Sequence, residues 1–208
     1  LASAQPDAAV LQETKLVDEK FPHAELKEAG YHAAFFGQKT YNGVALLSRE
    51  PVRDVVTDIP GLDDPQRRIL IASVGGLRVV NLYVVNGQAV GSEKYAYKLH
   101  WLARVRDYLA AELLHFPQMI VMGDFNIAPQ DRDVHDPAAW HEQILCSTPE
   151  RAALAELHDQ RGAHRVVDAP VEAAPGQPRR GRRQRAQPPR HDDGAVAGGD
   201  HRLRPAAD

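Results

Sequence analysis

The segment between residues 69 and 122 most strongly limits the fold that this chain can adopt. It contains two apolar runs, ILIASV at 69–74 and LRVVNLYVV at 77–85, separated only by Gly75-Gly76. Apolar runs joined by two glycines are typical of a tight antiparallel hairpin. The sequence therefore predicts two paired strands near the middle of the chain.

A helix and another strand are predicted after this hairpin. Apolar residues recur every three or four positions between Leu99 and Leu114, which indicates an amphipathic helix. The run MIVM at 119–122 then predicts a central strand, and residues 8–13 and 43–48 predict two earlier strands. Hairpins combined with a helical crossover favour an α/β fold with mixed sheets.

The C-terminal segment, residues 160–208, differs in composition from the rest. Residues 1–159 carry 15 Lys+Arg and 22 Asp+Glu, a net charge of −7, whereas residues 160–208 carry 10 Arg and 6 acidic residues, a net charge of +4. The segment has no aromatic residue and is mostly Arg, Pro, Gly and Ala. Because it offers little apolar surface to offset chain entropy, we expect a disordered tail after a partial domain at 1–159. A solvated tail is favoured over a basic arm that contacts nucleic acid.

Other features of the composition narrow the class of protein. The single Cys146 cannot form an internal disulfide, so a reducing, cytoplasmic location is expected. No apolar run approaches the roughly 20 residues of a membrane span. The start of the chain also lacks the basic and apolar segments of a signal peptide. We expect a monomer without a membrane partner.

Two polar side chains follow the strand predicted at 119–122. Asp124 and Asn126 are two positions apart, so on an extended backbone they share a face while Phe125 points towards the core. Gly123 permits a close approach of backbone or ligand. Strand ends are where α/β proteins place their chemistry. The alternative is an Asx turn, in which the same residues only cap a loop.

Glu13 and Tyr83 lie towards the ends of two other predicted strands. Taken singly, they are explained as a surface acid and a core aromatic. Together with Asp124 and Asn126 they suit a hard cation acting on phosphate, since Mg²⁺ prefers one or two carboxylates plus water and phosphate oxygens. Glu13 would bind the metal and Asp124 would orient or deprotonate a water. Asn126 would donate to a phosphoryl oxygen or hold Asp124, and Tyr83 would donate to developing charge.

The segments around these residues share longer motifs with one known family. They are LQETK, NGVALLSR, QRRIL, NLYVVNGQAVGSEKYAYKL, MGDFNIAP and DPAAWHEQILCSTPER. Together they resemble exodeoxyribonuclease III, in the AP-endonuclease branch of the endonuclease–exonuclease–phosphatase superfamily, from residue 1 to about residue 157. QET and GDFN alone indicate only the superfamily, whereas the longer motifs indicate a bacterial exodeoxyribonuclease III-like protein.

The resemblance implies a four-layer αββα sandwich with two mixed β-sheets and a Mg²⁺ or Mn²⁺ site at one end. It implies metal binding by Glu13, Asp124 and Asn126 and catalysis by Tyr83, Asp124 and Asn126, with Asn86 as a substrate-contacting amide. The implied function is that of a Mg²⁺-dependent DNA-repair phosphodiesterase, both 3′–5′ exodeoxyribonuclease and AP endonuclease. Its partner would be double-stranded DNA with abasic sites or 3′ ends.

The chain also departs from the family pattern. It begins after the family's first strand, and its tail lacks the aromatic loop and the Ser-Asp-His ending. Gly199-Asp200-His201 is interpreted as a chance match. The fold is therefore expected to be incomplete at both ends, with a tail that diverges or is read in another frame. Two alternatives remain: an inactive remnant that at most binds DNA, and a superfamily relative acting on RNA or small phosphoesters.

Overall fold

The computed structural model describes residue 1 and residues 3–159, which form seven strands and four α-helices. The strands are β1 (Ala8–Gln12), β2 (His32–Phe36), β3 (Val44–Ser48), β4 (Arg53–Val56), β5 (Ile69–Val74), β6 (Leu77–Tyr83) and β7 (Met119–Asp124). The helices are α1 (His23–Glu28), α2 (Glu93–Glu112), α3 (Pro137–Trp140) and α4 (Thr148–His158). Two short 3-10 turns lie at Asp18–Lys20 and Asp131–Asp133.

The strands form two sheets, which confirms the predicted α/β class. One sheet has the order β1-β3-β2, and the other has the order β4-β5-β6-β7. Within the described residues, only β6 and β7 run parallel, because α2 carries the chain across the sheet between them. Among the described strands, mixed pairing is therefore confined to the four-stranded sheet, and the three-stranded sheet is antiparallel throughout.

The predicted hairpin is confirmed. Val74 faces Leu77 in the β5–β6 register, so only Gly75 and Gly76 form the turn. Both glycines have positive φ angles, 53° and 85°. Two positive φ angles give the turn whose twist matches that of the flanking strands.

Two predicted elements differ in extent or position. Helix α2 begins at Glu93 rather than at Leu99, because the Ser92 hydroxyl accepts a hydrogen bond from the Tyr95 amide and caps the helix. Strand β7 was predicted to be central but lies at the edge of its sheet among the described strands. The crossover through α2 sets that place, and it was not evident from the local apolar run.

Apolar side chains fill two layers on either side of the four-stranded sheet. One layer lies between this sheet and helices α2 and α4 and includes Trp101, Leu109 and Leu154. The other lies between the two sheets and includes Leu46 and Leu70. Each large side chain that is fully removed from water contributes about 1.5–3 kcal/mol to folding. The central strands are thus held on both faces, which makes them a rigid support for the loops at their ends.

The predicted tail at 160–208, with Asp200 and His201, lies outside the described residues. None of the helices within the described ranges combines the length and the apolar character needed to span a bilayer.

Candidate active site

Asn81 connects the two sheets beneath the candidate site. Its side chain is fully buried, and its Nδ2 donates to the carbonyl oxygens of Leu11 and Ala45 at 2.9 Å each. Its Oδ1 accepts from Gln12 Nε2 at 2.6 Å. Strand β6 is therefore fixed against β1 and β3, and Glu13, the residue after β1, lies beside the end of β6.

Glu13 and Tyr83 contact each other directly. The Tyr83 hydroxyl donates to Glu13 Oε1 at 2.5 Å, and Lys15 Nζ lies 2.7 Å from Glu13 Oε2. Glu13 has a φ of 53°, a conformation that is uncommon for a residue other than glycine.

Charge and burial set the ionisation of this pair. The hydrogen bond from Lys15, followed by that from Tyr83, holds the pKa of Glu13 below its ordinary value. Burial, followed by the hydrogen bond to Glu13, raises the pKa of Tyr83 to about 12. At neutral pH the pair is therefore a carboxylate and a neutral phenol, an acceptor next to a donor.

Asp124 lies beside Tyr83 because the two residues are partners in the parallel β6–β7 register. The preceding residue makes this possible: a Cβ on Gly123 would lie 1.9 Å from the Leu82 carbonyl oxygen, and its φ is 141°. Only glycine tolerates that approach. The carboxylate of Asp124 is exposed at the end of the strand.

Asp124 and Asn126 also interact. The Asn126 amide N–H donates to Asp124 Oδ1 at 3.0 Å, which is the Asx turn considered as the alternative interpretation. Asn126 Nδ2 donates to the Val84 carbonyl at 3.0 Å and lies 3.4 Å from Asp124 Oδ2. The Asx turn is therefore present, and it brings the side chains of Asp124 and Asn126 together. Phe125 is 5% exposed and packs in the core, as predicted.

Asn86 completes the group. Its Nδ2 lies 3.4 Å from Asn126 Oδ1, and its own Oδ1 accepts from the Gln88 amide. The five residues singled out in the sequence therefore occupy one end of the sheets. Glu13 contacts Tyr83, Asp124 contacts Asn126, Asn126 contacts Asn86, and the β6–β7 register joins the two sets.

Arg68 is a cation beside this group to which the sequence reasoning assigned no role. Its guanidinium lies 4.6 Å from the centroid of the Tyr83 ring, and its Nη1 donates to the Tyr83 carbonyl at 3.2 Å. It was visible in the sequence only as part of the QRRIL motif. Its positive charge therefore lies beside the phenol of Tyr83.

Lys98 and Glu150 form a buried ion pair behind the site, which the sequence reasoning also missed. Lys98 Nζ lies 2.5 Å from Glu150 Oε1, and both side chains are fully buried. Burial lowers the pKa of Lys98, and the Glu150 carboxylate opposes that shift. A signal was present: Lys98 is three positions from both Tyr95 and Trp101, on the apolar stripe of α2.

The oxygen-rich composition of the site fits a hard divalent cation. Glu13 and Asp124 supply exposed carboxylates, and Asn126 supplies an amide oxygen. Within residues 3–159, no three His, Cys, Asp or Glu side chains come together as a preformed metal site. Mg²⁺ and Mn²⁺ are commonly held by one or two carboxylates and completed by water and phosphate oxygens, so this donor set suits them.

The sequence matches a known family and two bacterial exonucleases. The Endonuclease/Exonuclease/phosphatase family matches residues 1–200. Exodeoxyribonuclease III of Haemophilus influenzae is 34% identical over 167 residues, covering 74% of this chain and 62% of the relative. An exodeoxyribonuclease of Bacillus subtilis is 28% identical over 161 residues, covering 76% of this chain and 62% of that protein. The chain thus spans about 62% of the length of these relatives.

Solved structures agree with the sequence matches. A 3′ phosphatase variant from Neisseria bound to a product DNA hairpin has a TM-score of 0.75 and 47% identity, with 76% of this chain and 62% of that chain covered. An AP endonuclease from Archaeoglobus fulgidus has a TM-score of 0.69 and 35% identity, with 74% and 60% covered. The resemblance to exodeoxyribonuclease III is therefore confirmed, and this chain belongs to the endonuclease/exonuclease/phosphatase family.

Proposed function

We propose that this chain is a DNA-repair phosphodiesterase that uses Mg²⁺ or Mn²⁺, with 3′–5′ exodeoxyribonuclease and AP-endonuclease activity. The observation that carries the proposal is the meeting of Glu13, Tyr83, Asp124 and Asn126 at one end of the two sheets. Residues 1–159 would hold these groups as one catalytic domain. The substrate would be double-stranded DNA with abasic sites or 3′ ends.

The proposed reaction is attack of water on phosphorus, with departure of the 3′ oxygen. Asp124 is exposed at the strand end and accepts a proton from the attacking water at a carboxylate oxygen. The backbone N–H of Asn126 holds that carboxylate in place at 3.0 Å. The Asp124 carboxylate thus both orients the attacking water and removes its proton.

Two neutral donors stabilise the charge that develops on the phosphate. The Asn126 amide and the Tyr83 hydroxyl both lie beside Asp124. Tyr83 is a neutral phenol at neutral pH, and burial raises its pKa further, to about 12. The Tyr83 hydroxyl proton, which Glu13 accepts in this structure, would turn to the phosphate when Glu13 binds the cation, and the Asn126 amide would turn from Asp124. Asn86 would contact the substrate next to Asn126.

Glu13, with Asp124 and Asn126, would hold the divalent cation. When bound, such a cation supplies positive charge that neutralises the phosphate and favours departure of the leaving oxygen. Arg68 adds a positive charge on the side of Tyr83. These charges counter the net charge of −7 of residues 1–159 at the place where DNA would bind.

A second candidate is removal of a 3′ phosphate from DNA. It is favoured by the relatives from Neisseria, one described as a 3′ phosphatase and one as a 3′–5′ exonuclease, which are 47% and 48% identical to this chain. The same water, carboxylate and amide donors serve both reactions, because each cleaves a phosphate ester at a 3′ oxygen.

A panel of substrates tests the proposal. It comprises duplexes with a single synthetic abasic site, a recessed 3′ hydroxyl or a 3′ phosphate, a matched RNA and p-nitrophenyl phosphate. We expect Mg²⁺-dependent hydrolysis of the DNA substrates. Hydrolysis of RNA alone, or of p-nitrophenyl phosphate alone, would instead support the alternative of a superfamily member that acts on RNA or small phosphoesters. A folded sample that binds duplex DNA without hydrolysing any substrate would establish the inactive remnant.

A further inference from the structure

The ammonium group of Lys98 has three hydrogen-bond acceptors and is fully buried. Nζ donates to Glu150 Oε1 at 2.5 Å, to the Asn126 carbonyl at 2.7 Å and to the Asn86 carbonyl at 3.1 Å. A lysine ammonium has three protons, so each one is used.

The two carbonyls belong to separate loops of the candidate site. Asn86 follows β6 and Asn126 follows β7, and their side chains lie 3.4 Å apart at Nδ2 and Oδ1. This contact is long for a hydrogen bond and does not by itself fix the loops. The shared ammonium beneath them links the two backbones much more tightly.

Glu150 makes this arrangement stable inside the protein. Its carboxylate is fully buried and also accepts from the Ser147 hydroxyl at 2.6 Å and from the Leu145 amide at 3.2 Å. Burying an ammonium is costly unless an opposite charge and further hydrogen bonds compensate it. Glu150 therefore neutralises the ammonium, and two protons remain for the carbonyls of the two loops.

We propose that Lys98 is a positioning residue, whose buried ammonium holds the loops after β6 and β7 so that Asn86 and Asn126 face one substrate. The inference rests on the proposed function for its effect on catalysis. Its geometric part, the placement of two asparagine side chains, is tested without any substrate.

The test must separate positioning from stability. The double variant Lys98→Met with Glu150→Leu removes both charges and keeps similar volume, a change that is often close to neutral for stability. The two carbonyls nevertheless lose their common donor. The double variant Arg78→Met with Glu112→Leu is the matched control. Arg78 in β6 and Glu112 in α2 form another ion pair with little exposure among the described residues, with side chains 2% and 12% exposed. The hydrogen bonds of this pair reach none of the site residues.

Activity supplies the first readout. With the full 208-residue chain and the DNA substrate that it cleaves, we expect kcat of the Lys98 double variant to fall roughly 10–100-fold with a smaller change in KM, as for misplaced catalytic groups. The Arg78 double variant should keep kcat within about twofold. An equal fall in both variants, or no fall in the Lys98 variant, would overturn the proposal.

The side-chain amide resonances of Asn86 and Asn126 in ¹⁵N-labelled protein supply the second readout. We expect them to shift or broaden in the Lys98 double variant and to stay in place in the control. Unchanged resonances would contradict positioning whether or not the chain is active. Shifted resonances in a wild-type chain that hydrolyses nothing would refute the proposed function and leave the positioning role supported.

A second double variant is used if Lys98→Met with Glu150→Leu does not fold. Lys98→Gln with Glu150→Gln keeps a polar, uncharged pair. The glutamine oxygen at position 150 can still accept from Ser147, although its amide nitrogen no longer accepts from Leu145. Glutamine at position 98 is shorter than lysine and has two amide protons for three acceptors. The same fall in kcat and the same amide shifts are expected. Wild-type values for both would overturn the proposal.

Discussion

Helix α2 carries a buried ion pair near each end, and the two pairs differ in what they hold. Near its start, Lys98 contacts Glu150 and the carbonyls of two loops that carry candidate site residues. At its end, Glu112 contacts Arg78, which donates to the Asp54 carbonyl and stacks on Phe116. Lys98 and Glu112 are about 21 Å apart along the helix at 1.5 Å per residue.

The difference shows how one element can serve stability and function in separate places. In both pairs each charge is neutralised by its partner, so removing one partner of either pair is expected to destabilise the fold. Only the pair near the start of α2 is linked to exposed polar side chains at strand ends. Variants at the two ends should therefore separate loss of stability from loss of activity.

The largest difference in activity should come from replacing one carboxylate by an amide near each ion pair, at Asp124 and at Asp54. Asp124→Asn removes the proposed proton acceptor, so we expect kcat to fall by about 10²–10⁴-fold. Asp54→Asn is the control, because Asp54 is exposed in β4 and its positive φ of 50° is one that asparagine tolerates. Steady-state kinetics on the cleaved DNA substrate measure both. Undiminished Mg²⁺-dependent activity in Asp124→Asn would remove that residue from the chemistry.

Removing one partner of each ion pair should lower the free energy of unfolding by different amounts. Lys98→Met leaves the Glu150 carboxylate buried without a countercharge, so the free energy of unfolding should fall by about 3–5 kcal/mol. Arg78→Met leaves Glu112 without its partner, but the Glu112 side chain is 12% exposed and can be hydrated. The free energy of unfolding should therefore fall by only about 1–3 kcal/mol. Urea unfolding measures both. Equal losses would mean that burial does not distinguish the two pairs.

Alanine substitutions at two glycines, Gly123 beside the site and Gly76 in the β5–β6 turn, should give a smaller difference in stability. In Gly123→Ala the new Cβ would meet the Leu82 carbonyl oxygen at 1.9 Å, so strain and displacement of β7 should cost about 3 kcal/mol. In Gly76→Ala nothing lies within 4 Å of the new Cβ, and the φ of 85° alone should cost about 1 kcal/mol. Thermal unfolding at matched concentration measures the difference. A costlier Gly76→Ala would contradict the packing described at β7.

The smallest effect concerns the ionisation of Tyr83. Its pKa is raised from 10.0 to about 12 by burial and the hydrogen bond to Glu13. Because the folded value exceeds the unfolded one, the stabilisation is present below pH 10 and is lost as the pH rises through about 12. The tyrosinate absorbance of wild type minus Tyr83→Phe should therefore stay flat through pH 10. A step in this difference near pH 10 would show that the phenol is not held as described.

The sequence predicted those parts of the fold that depend on neighbouring residues. The β5–β6 hairpin follows from its two glycines, and the body of α2 follows from its apolar spacing. The edge position of β7 was missed because the order of strands in a sheet depends on distant segments. The earlier start of α2 depends on the Ser92 cap, a local signal that was available.

The residues of the candidate site also differ in whether the local sequence predicts them. Asp124 and Asn126 were recognisable because they end one strand two positions apart. Lys98 and Asn81 were missed because their partners lie far away in the sequence, 52 residues for Glu150 and 70 for Leu11. A buried polar residue in an apolar pattern indicates that such a partner exists, but it does not identify the partner.

The proposed hydrolysis is tested by cleavage of a duplex carrying one synthetic abasic site, with Mg²⁺ and then with EDTA. The full chain and its Asp124→Asn variant should be compared under both conditions. We predict a single Mg²⁺-dependent cut 5′ to the site by the wild type, abolished by EDTA and reduced at least about 100-fold in the variant. No cut by a folded wild-type sample would refute the proposed activity, and an equal cut by the variant would refute the role of Asp124.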